Sequence, residues 1–432
     1  MDRGSRQDVP ESAHFTVAEG TLTCDGVSLA SLADRFGTPL FVYSAAAVEE
    51  AYRALDAAVP GPKLVAYAIK ANANLALLRR LAALGCGADI VSEGELRRAL
   101  AGGIPADRII FSGVGKTTAE LRAALEVGVR ALHVESAPEV AAIEAVARDL
   151  GVVAPITLRI NPDVDPKTHP YIATGLHDSK FGLEVDEARA LLPTLLRTDA
   201  LRLEGVSCHI GSQLPDTASM EDAVALLGAF AVECAEAGAP LRAIDAGGGW
   251  PIRYGDEDHA FPTWADFGEA IRRGLARSGA DRLGLELLVE PGRALVGDAG
   301  VLLTRVTYVK EQAGKRFLIV DGAMTELIRP SLYDAYHAVV PVRARQGARA
   351  PADVVGPVCE SADFFALDRD LPPFEAGDLI AVRGAGAYGM TMASNYNARP
   401  FAAEVLVEAG DARVVRRRQS LEDLLALERG LD

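Results

Sequence analysis

Leu64-Val-Ala-Tyr-Ala-Ile-Lys70-Ala-Asn72 is an unbroken apolar run that delivers a single amine to its C-terminal end. A stretch without polar alternation reads as a strand covered on both faces, the habit of parallel sheets. A lysine at such a strand end can be desolvated enough to lower its pKa and to condense with an aldehyde. Position alone is weak ground, because most lysines are solvated surface charges. Working outward, strand-like runs recur at Ala88–Val91, Arg108–Phe111, Ala131–Val134, Ile156–Ile160, Leu203–His209, Arg242–Ala246 and Leu285–Val289. Between them lie Ala/Leu/Glu/Arg-rich stretches with helical spacing, such as Glu93–Leu100 and Glu139–Leu150. Strand and helix alternating eight times predict a (β/α)8 TIM barrel in the α/β class rather than an open doubly wound sheet.

The helical rhythm stops near Gly300. Val301–Lys310, Arg316–Val320, Ala352–Pro357, Leu379–Arg383 and Ala402–Glu408 read as strands of a C-terminal antiparallel β domain. Phe15–Val17, Thr21–Cys24 and Leu40–Tyr43 read as N-terminal strands that join it. The expected organisation is a disordered tail over 1–12, β-domain strands over 13–43, the barrel over 44–298 and the β domain over 299–432. Ser420-Leu-Glu-Asp423 has the pattern of a capping box and opens a short terminal helix.

The 432 residues suffice for two sizeable hydrophobic cores, and 49% apolar with 24% charged residues is ordinary for a globular protein. A net charge of −16 argues against nucleic acid or an anionic membrane as partner. No apolar run is long enough to span a bilayer, and Asp2–Ser12 lacks the apolar centre of a secretion signal. The five cysteines are scattered without CxxC pairing, so neither a zinc site nor a disulfide framework is expected, no metal is assigned, and a reducing cytoplasm fits.

In a barrel, chemistry belongs at the C-terminal ends of the strands. Those ends carry Lys70, Ser92 with Glu93, Ser112, Glu135 with Ser136, Asn161, His209 to Ser212, Asp245 to Gly249, and Glu290 to Arg293. Gly247-Gly248-Gly249 permits close backbone approach and aims N–H groups at an anion. Taken alone the triplet is as readily a plain loop. Beside it Arg293 adds a fixed cation and Ser212 a hydroxyl, and the anion-site reading gains. Glu290 is open between an ion pair with Arg293 and a partner for a cofactor's ring nitrogen. His209, on residue type alone, is more often a hydrogen-bonded core histidine than a catalytic one.

Two lookalikes are set aside. Gly113-Val-Gly115-Lys116-Thr117 resembles the end of a P-loop, but Ile110 stands where the earlier glycine is required. Gly384-Ala-Gly386-Ala-Tyr388-Gly389 satisfies GxGxxG but sits too near the C-terminus for a dinucleotide-binding unit.

Tyr67-Ala-Ile-Lys70-Ala-Asn72, Cys208-His209-Ile-Gly-Ser212-Gln213, Gly247–Gly249, Glu290-Pro-Gly292-Arg293 and Gly356-Pro-Val-Cys359-Glu360-Ser361 occur in that order. Supporting stretches include Asn161-Pro-Asp-Val-Asp165, Lys180-Phe-Gly182, Asp321-Gly-Ala-Met324 and Ile328-Arg329-Pro-Ser-Leu-Tyr333. From Gly37 to about Phe401 the chain resembles the fold-type III pyridoxal-phosphate decarboxylases, and within them the diaminopimelate decarboxylase family. The resemblance implies decarboxylation of meso-2,6-diaminopimelate to L-lysine and CO2, the last step of bacterial lysine synthesis. It implies pyridoxal 5'-phosphate held by Lys70 as an aldimine, His209 stacked on the ring, and Glu290 at the ring nitrogen. Ser212, Gly247, Gly248, Gly249, Gly292, Arg293 and Tyr388 are implied at the phosphate. A homodimer with shared active sites is implied, in which Cys359 from the partner chain protonates the carbanion. On residue type alone that cysteine would be a small buried hydrophobe. Arg293, Arg329, Tyr333, Glu360 and Tyr388 match positions that bind the far end of the substrate. A zwitterionic far end needs a cation, an anion and hydroxyls together. Trp250 departs from the family's smaller residue after the triplet. Alternatives left open are a sibling decarboxylase acting on ornithine, arginine, D-lysine or carboxynorspermidine, and a non-catalytic pyridoxal-phosphate carrier.

Overall fold

The computed structural model describes residues 12–164, 180–255 and 261–431. The expected tail up to Glu11, and Asp165 of the Asn161–Asp165 stretch, lie outside the described residues. The chain divides into two compact units: Ala51–Pro251 with Phe261–Ala294, and Met1–Glu50 with Ile252–Ala260 and Leu295–Asp432.

The first unit is a closed barrel of eight parallel strands in chain order. They are Lys63–Ala68, Gly87–Ile90, Ile109–Phe111, Ala131–Val134, Ala154–Arg159, Leu201–Ser207, Ala243–Asp245 and Glu286–Val289. The last pairs with the first through Leu287↔Lys63, Leu288↔Leu64 and Val289↔Val65, which closes the cylinder. Each expected strand is present within two residues of its expected ends. Several of the helices between them begin on side-chain caps that the sequence supplies. Ser92 accepts from Glu95 N–H, and Thr117 and Thr263 each form a capping box with an acid three residues on. Trp250 is buried against Phe267 with ring centroids 5.6 Å apart, so it serves as core of the barrel wall.

The second unit is the β domain. Gly300–Gln312 is its spine, flanked by Leu40–Ser44, Leu379–Val382 and Lys315–Val320. The sheet continues outward through Ala350–Val355 to Phe364–Leu371 on one side, and through Ala403–Glu408 to Asp411–Arg416 on the other. Most pairings are antiparallel, with parallel exceptions between Lys315–Val320 and Ala350–Val355 and between Leu40–Ser44 and Ala403–Glu408. The N-terminal strands divide. Leu40–Ser44 joins the large sheet as expected, whereas Phe15–Ala18, Thr21–Cys24 and Val27–Ser28 form a small sheet of their own. That sheet is stitched on by the Leu22 N–H to Val342 carbonyl bond of 2.7 Å. Phe15, Leu22 and Leu29 share one buried cluster with Leu40, Val301 and Val405, and this common core explains why the small sheet stays in place. Ser420 caps the short helix Leu421–Leu425 in a capping box with Asp423. Among the described residues no helix is long and apolar enough to cross a membrane.

Candidate active site

Strand alternation builds the site. Leu64, Ala66, Ile110, Ala131, Ala243 and Leu288 form one buried cluster that plugs the barrel. Side chains on a strand alternate faces, so the position two residues later points the same way, one layer nearer the C-terminal mouth. Those positions are Ala68, Ser112, His133, Asp245 and Glu290. Gly87 packs into the plug as well, since a Cβ there would lie 3.1 Å from Leu64 Cδ1, and two residues on stands Asp89. An apolar plug is thus topped by a ring of buried polar groups.

Lys70 sits above that ring. The strand ends at Ala68 and a single 3-10 turn, Ile69–Ala71, lifts the lysine to the rim. The expected desolvation is corrected: the Lys70 side chain keeps 40% of its exposure, and Nζ lies 3.2 Å from Asp89 Oδ2. The amine is positioned by a buried carboxylate rather than stripped of polar company. Asp89 Oδ1 has no hydrogen-bond partner among the described residues.

Glu290 lies with Oε1 3.4 Å from Ser112 Oγ and 3.6 Å from His133 Nδ1. On the other edge of the imidazole, Nε2 is 3.8 Å from Asp245 Oδ2, and neither atom has a hydrogen-bond partner among the described residues. One ligand atom from each of His133, Asp245 and Glu290 falls within 4.8 Å of the others. Burial pushes the Glu290 carboxyl well above the usual carboxylate range, and the neighbouring Asp245 and Asp89 push it further. Burial raises Asp245 as well, to about 7, with Asp89 adding to the rise. His133 is held neutral, lowered to about 3 by burial and by the charges of Lys116 and Arg159. Acids this close in a dry site cannot all ionise, so the ring is poised to hold protons until a cationic partner arrives. Asp89, His133 and the pairing of Asp245 with Glu290 escaped the sequence reading. The signal was there, as single polar residues inside Gly87–Ile90 and Ala131–Val134.

Beside the ring, the glycine turn crosses the chain too closely for any side chain. A Cβ on Gly247 would lie 2.3 Å from the Cys208 carbonyl oxygen, and one on Gly248 2.5 Å from the Glu290 carbonyl oxygen. Gly247 and Gly249 also have φ of +71° and +97°. His209 is half-buried, with Nδ1 accepting from the Gly248 N–H at 3.0 Å, which puts the ring proton on Nε2. Burial, with the charge of Lys70 adding, keeps this imidazole neutral. Arg293 is buried and donates from Nη2 to Ser212 Oγ at 3.0 Å. The alternative partner for Glu290, an ion pair with Arg293, is not formed among the described contacts. Gly292 packs on Ala68 and Ala71, where a Cβ would lie 3.2 and 3.1 Å from theirs. Lys70, His209, Ser212, Gly247–Gly249, Glu290, Gly292 and Arg293 therefore gather at one mouth. Gly248→Ala is expected to cost about 1–3 kcal/mol of stability, because the clash is with backbone that cannot swing away. Chemical unfolding against the parent checks it, and an unchanged midpoint would contradict the close crossing.

Other strand-end residues have structural work. Lys116, from the P-loop lookalike, is buried and donates to the carbonyls of Gly113 and His133 and to Glu139 Oε1. All three of its donors are occupied, so it staples a loop rather than facing a phosphate. Glu135 accepts from Arg159 Nη1 at 2.6 Å and from the N–H groups of Gly113 and Gly182. The GxGxxG lookalike is followed by one 3-10 turn, Met390–Met392, and no nucleotide-binding helix.

In the β unit, Arg329 and Tyr333 open and close the short helix Arg329–Tyr333. Arg329 is buried; its Nη1 lies 3.0 Å from Tyr254 Oη and 2.9 Å from His337 Nε2. Cys359 and Glu360 are exposed, on a loop held from behind. Asp363 accepts from Val358 N–H at 2.7 Å and from Met324 N–H at 2.6 Å, and Cys359 N–H donates to Asn397 Oδ1 at 2.8 Å. Tyr388 holds φ +56°, a left-handed conformation that bulky residues adopt only where the surroundings enforce it.

Comparison with known proteins agrees with this architecture. Residues 45–297 match the family described as pyridoxal-dependent decarboxylase, pyridoxal binding domain. A diaminopimelate decarboxylase of Pseudomonas aeruginosa is 50% identical over 95% of this chain and 98% of its own length. The diaminopimelate decarboxylase of Helicobacter pylori, solved with L-lysine, is 42% identical with a TM-score of 0.88, covering 92% of this chain and 98% of its own. The enzyme of M. jannaschii, also solved with L-lysine, is 37% identical with a TM-score of 0.91, covering 96% and 98%. With the barrel, the lysine at its mouth and relatives matched along nearly their whole length, the chain belongs to the diaminopimelate decarboxylase family of pyridoxal-dependent decarboxylases.

Proposed function

We propose that the protein decarboxylates meso-2,6-diaminopimelate to L-lysine and CO2 with pyridoxal 5'-phosphate as cofactor. The observation that carries this reading is the lysine poised over a ring of buried acids, Lys70 on Asp89 with Glu290 driven toward its neutral form. The residues fit the cofactor. Buried Arg293, hydrogen-bonded to Ser212 beside the glycine turn, offers a cation and a hydroxyl suited to a phosphate, and Asp89 Oδ1 and Asp245 Oδ2 have no hydrogen-bond partner among the described residues. When bound, pyridoxal phosphate supplies an electron sink for the pair released as a carbon–carboxylate bond breaks.

In this reading Lys70 anchors the cofactor's aldehyde carbon through its amine. Glu290 holds a proton at the ring nitrogen, and a positively charged ring offsets the cost of ionising that buried acid. His209, kept neutral, lays its flat ring against the cofactor without adding a competing charge. Gly247, Gly248, Gly249, Ser212, Gly292, Arg293 and Tyr388 hold the phosphate end. Arg293, Arg329, Tyr333, Glu360 and Tyr388 bind the far amino and carboxylate groups of the substrate. The protein works as a homodimer, and Cys359 of the partner subunit gives the proton to Cα. Exposure of the Cys359–Glu360 loop supports a role that needs a second chain. A reducing cytoplasm keeps such a thiol intact.

Incubation with meso-diaminopimelate and pyridoxal phosphate, followed by chromatography and CO2 detection, is expected to yield lysine. Ornithine, arginine, D-lysine and carboxynorspermidine, assayed in parallel, are expected to turn over more slowly. A clear preference for ornithine would overturn the substrate, and absence of CO2 from every substrate would leave the carrier reading.

A further inference from the structure

We infer that His337 is a positioning residue for Arg329, fixing the plane in which that guanidinium meets a carboxylate. This rests on the proposal that Arg329 binds the far carboxylate of the substrate. His337 is fully buried, with Nδ1 2.8 Å from the Arg383 carbonyl oxygen and Nε2 2.9 Å from Arg329 Nη1. A carbonyl only accepts and a guanidinium only donates, so the imidazole proton belongs on Nδ1 and the lone pair on Nε2. The ring is thereby locked as a neutral acceptor. Its backbone is pinned too, since Arg369 Nη1 donates to the His337 carbonyl at 3.1 Å.

Tyr254 completes the clamp. Its hydroxyl lies 3.0 Å from the same Nη1, its ring centroid is 4.9 Å from Arg329 Cζ, and it meets the imidazole edge-on at 5.1 Å. Gly384, with φ +65°, makes room for the ring pair: a Cβ there would lie 3.1 Å from the Tyr254 ring and 3.7 Å from His337 Nδ1. Nη1 carries two hydrogens, and His337 and Tyr254 take both. With both Nη1 hydrogens committed, the guanidinium cannot turn about its long axis, and its plane is fixed for any carboxylate it meets. The clamp thus sets the roll of the guanidinium about its long axis. A carboxylate at the far end of the substrate is accepted in one orientation.

The test uses two variants that split the two bonds of the imidazole. His337→Asn keeps a donor where Nδ1 stands but cannot reach Arg329. His337→Gln places an acceptor near the Nε2 position. In the holoenzyme, His337→Asn is expected to raise KM for meso-diaminopimelate by about ten- to a hundredfold, the worth of a hydrogen bond to a buried charge. Its kcat at saturation is expected to stay within about threefold. His337→Gln is expected to restore KM to within about threefold of the parent. Equal KM values for the Asn and Gln variants, or a fall confined to kcat, would overturn the inference. If neither is recovered folded, Tyr254→Phe, which keeps the ring, is expected to raise KM by about three- to tenfold, and an unchanged KM would overturn it. Arg329→Gln separates the two levels: no rise in KM there refutes the reading of Arg329 itself. A rise there with none in His337→Asn refutes only the clamp.

Discussion

A Lys70→Ala variant is expected to lose turnover by about 10^4-fold or more, the scale on which removing a covalently acting group registers. It is also expected to lose the visible absorbance of the bound cofactor. The two losses share a cause in the proposed function, where the amine both anchors the cofactor and takes part in exchange with the substrate. Lys70→Ala is expected to lower stability as well, because it takes the described ion-pair partner from Asp89, whose side chain is fully buried. Lys70→Arg separates charge from chemistry, since it keeps a cation near Asp89 yet cannot condense with an aldehyde. Absorbance spectra and steady-state rates of both variants check this. A variant that keeps the band would refute Lys70 as the anchor.

Glu290→Gln should lower kcat by about 10^2- to 10^3-fold, the range for losing one preorganised electrostatic partner of a transition state. The substitution keeps size and burial but can no longer hold a proton at a ring nitrogen. A second effect separates this from a packing defect. Burial raises the folded-state pKa of Glu290 well above its ordinary value of 4.5, with Asp245 and Asp89 adding to the rise. Above that ordinary value the unfolded chain releases the proton while the cofactor-free folded site keeps it. The folded state therefore loses stability, relative to acid pH, as pH rises from the ordinary carboxylate range toward the raised pKa. Glu290→Gln removes this share of the slope. Unfolding of cofactor-free parent and variant across that window checks it, and parallel curves would contradict a protonated Glu290. Removing a cofactor that brings a ring cation should steepen the dependence of the parent protein in the same direction.

Much of the barrel was legible because each strand is an apolar run too short for a helix and bounded by turn residues or caps. Lys63–Ala68 and Ala131–Val134 show this plainly. The mouth was legible wherever a candidate residue lay just past a strand, as with Lys70, the glycine triplet and Glu290. It failed inside the strands. Asp89 and His133 stand one layer below the ends, and only pairing the period of two with the plug cluster shows that they face inward. Phe364–Leu371 and Asp411–Arg416 were missed because Asp368, Arg369, Asp370, Arg413 and Arg416 make edge strands look like loops. Tyr254 and His337 could not be read at all. Their partner Arg329 is 75 residues from one and 8 from the other, and no local pattern joins them.

The central claim is that one amine of this chain binds the cofactor covalently. Borohydride reduction of the holoenzyme followed by peptide mass mapping tests it directly. The chain has seven lysines, and Lys116, whose side chain is buried in the barrel unit, already spends its donors on two carbonyls and Glu139. The expected result is a pyridoxyl mass increment on the peptide containing Lys70 and on no other. Label on any other lysine, or none after reduction of a visibly coloured protein, would contradict the account.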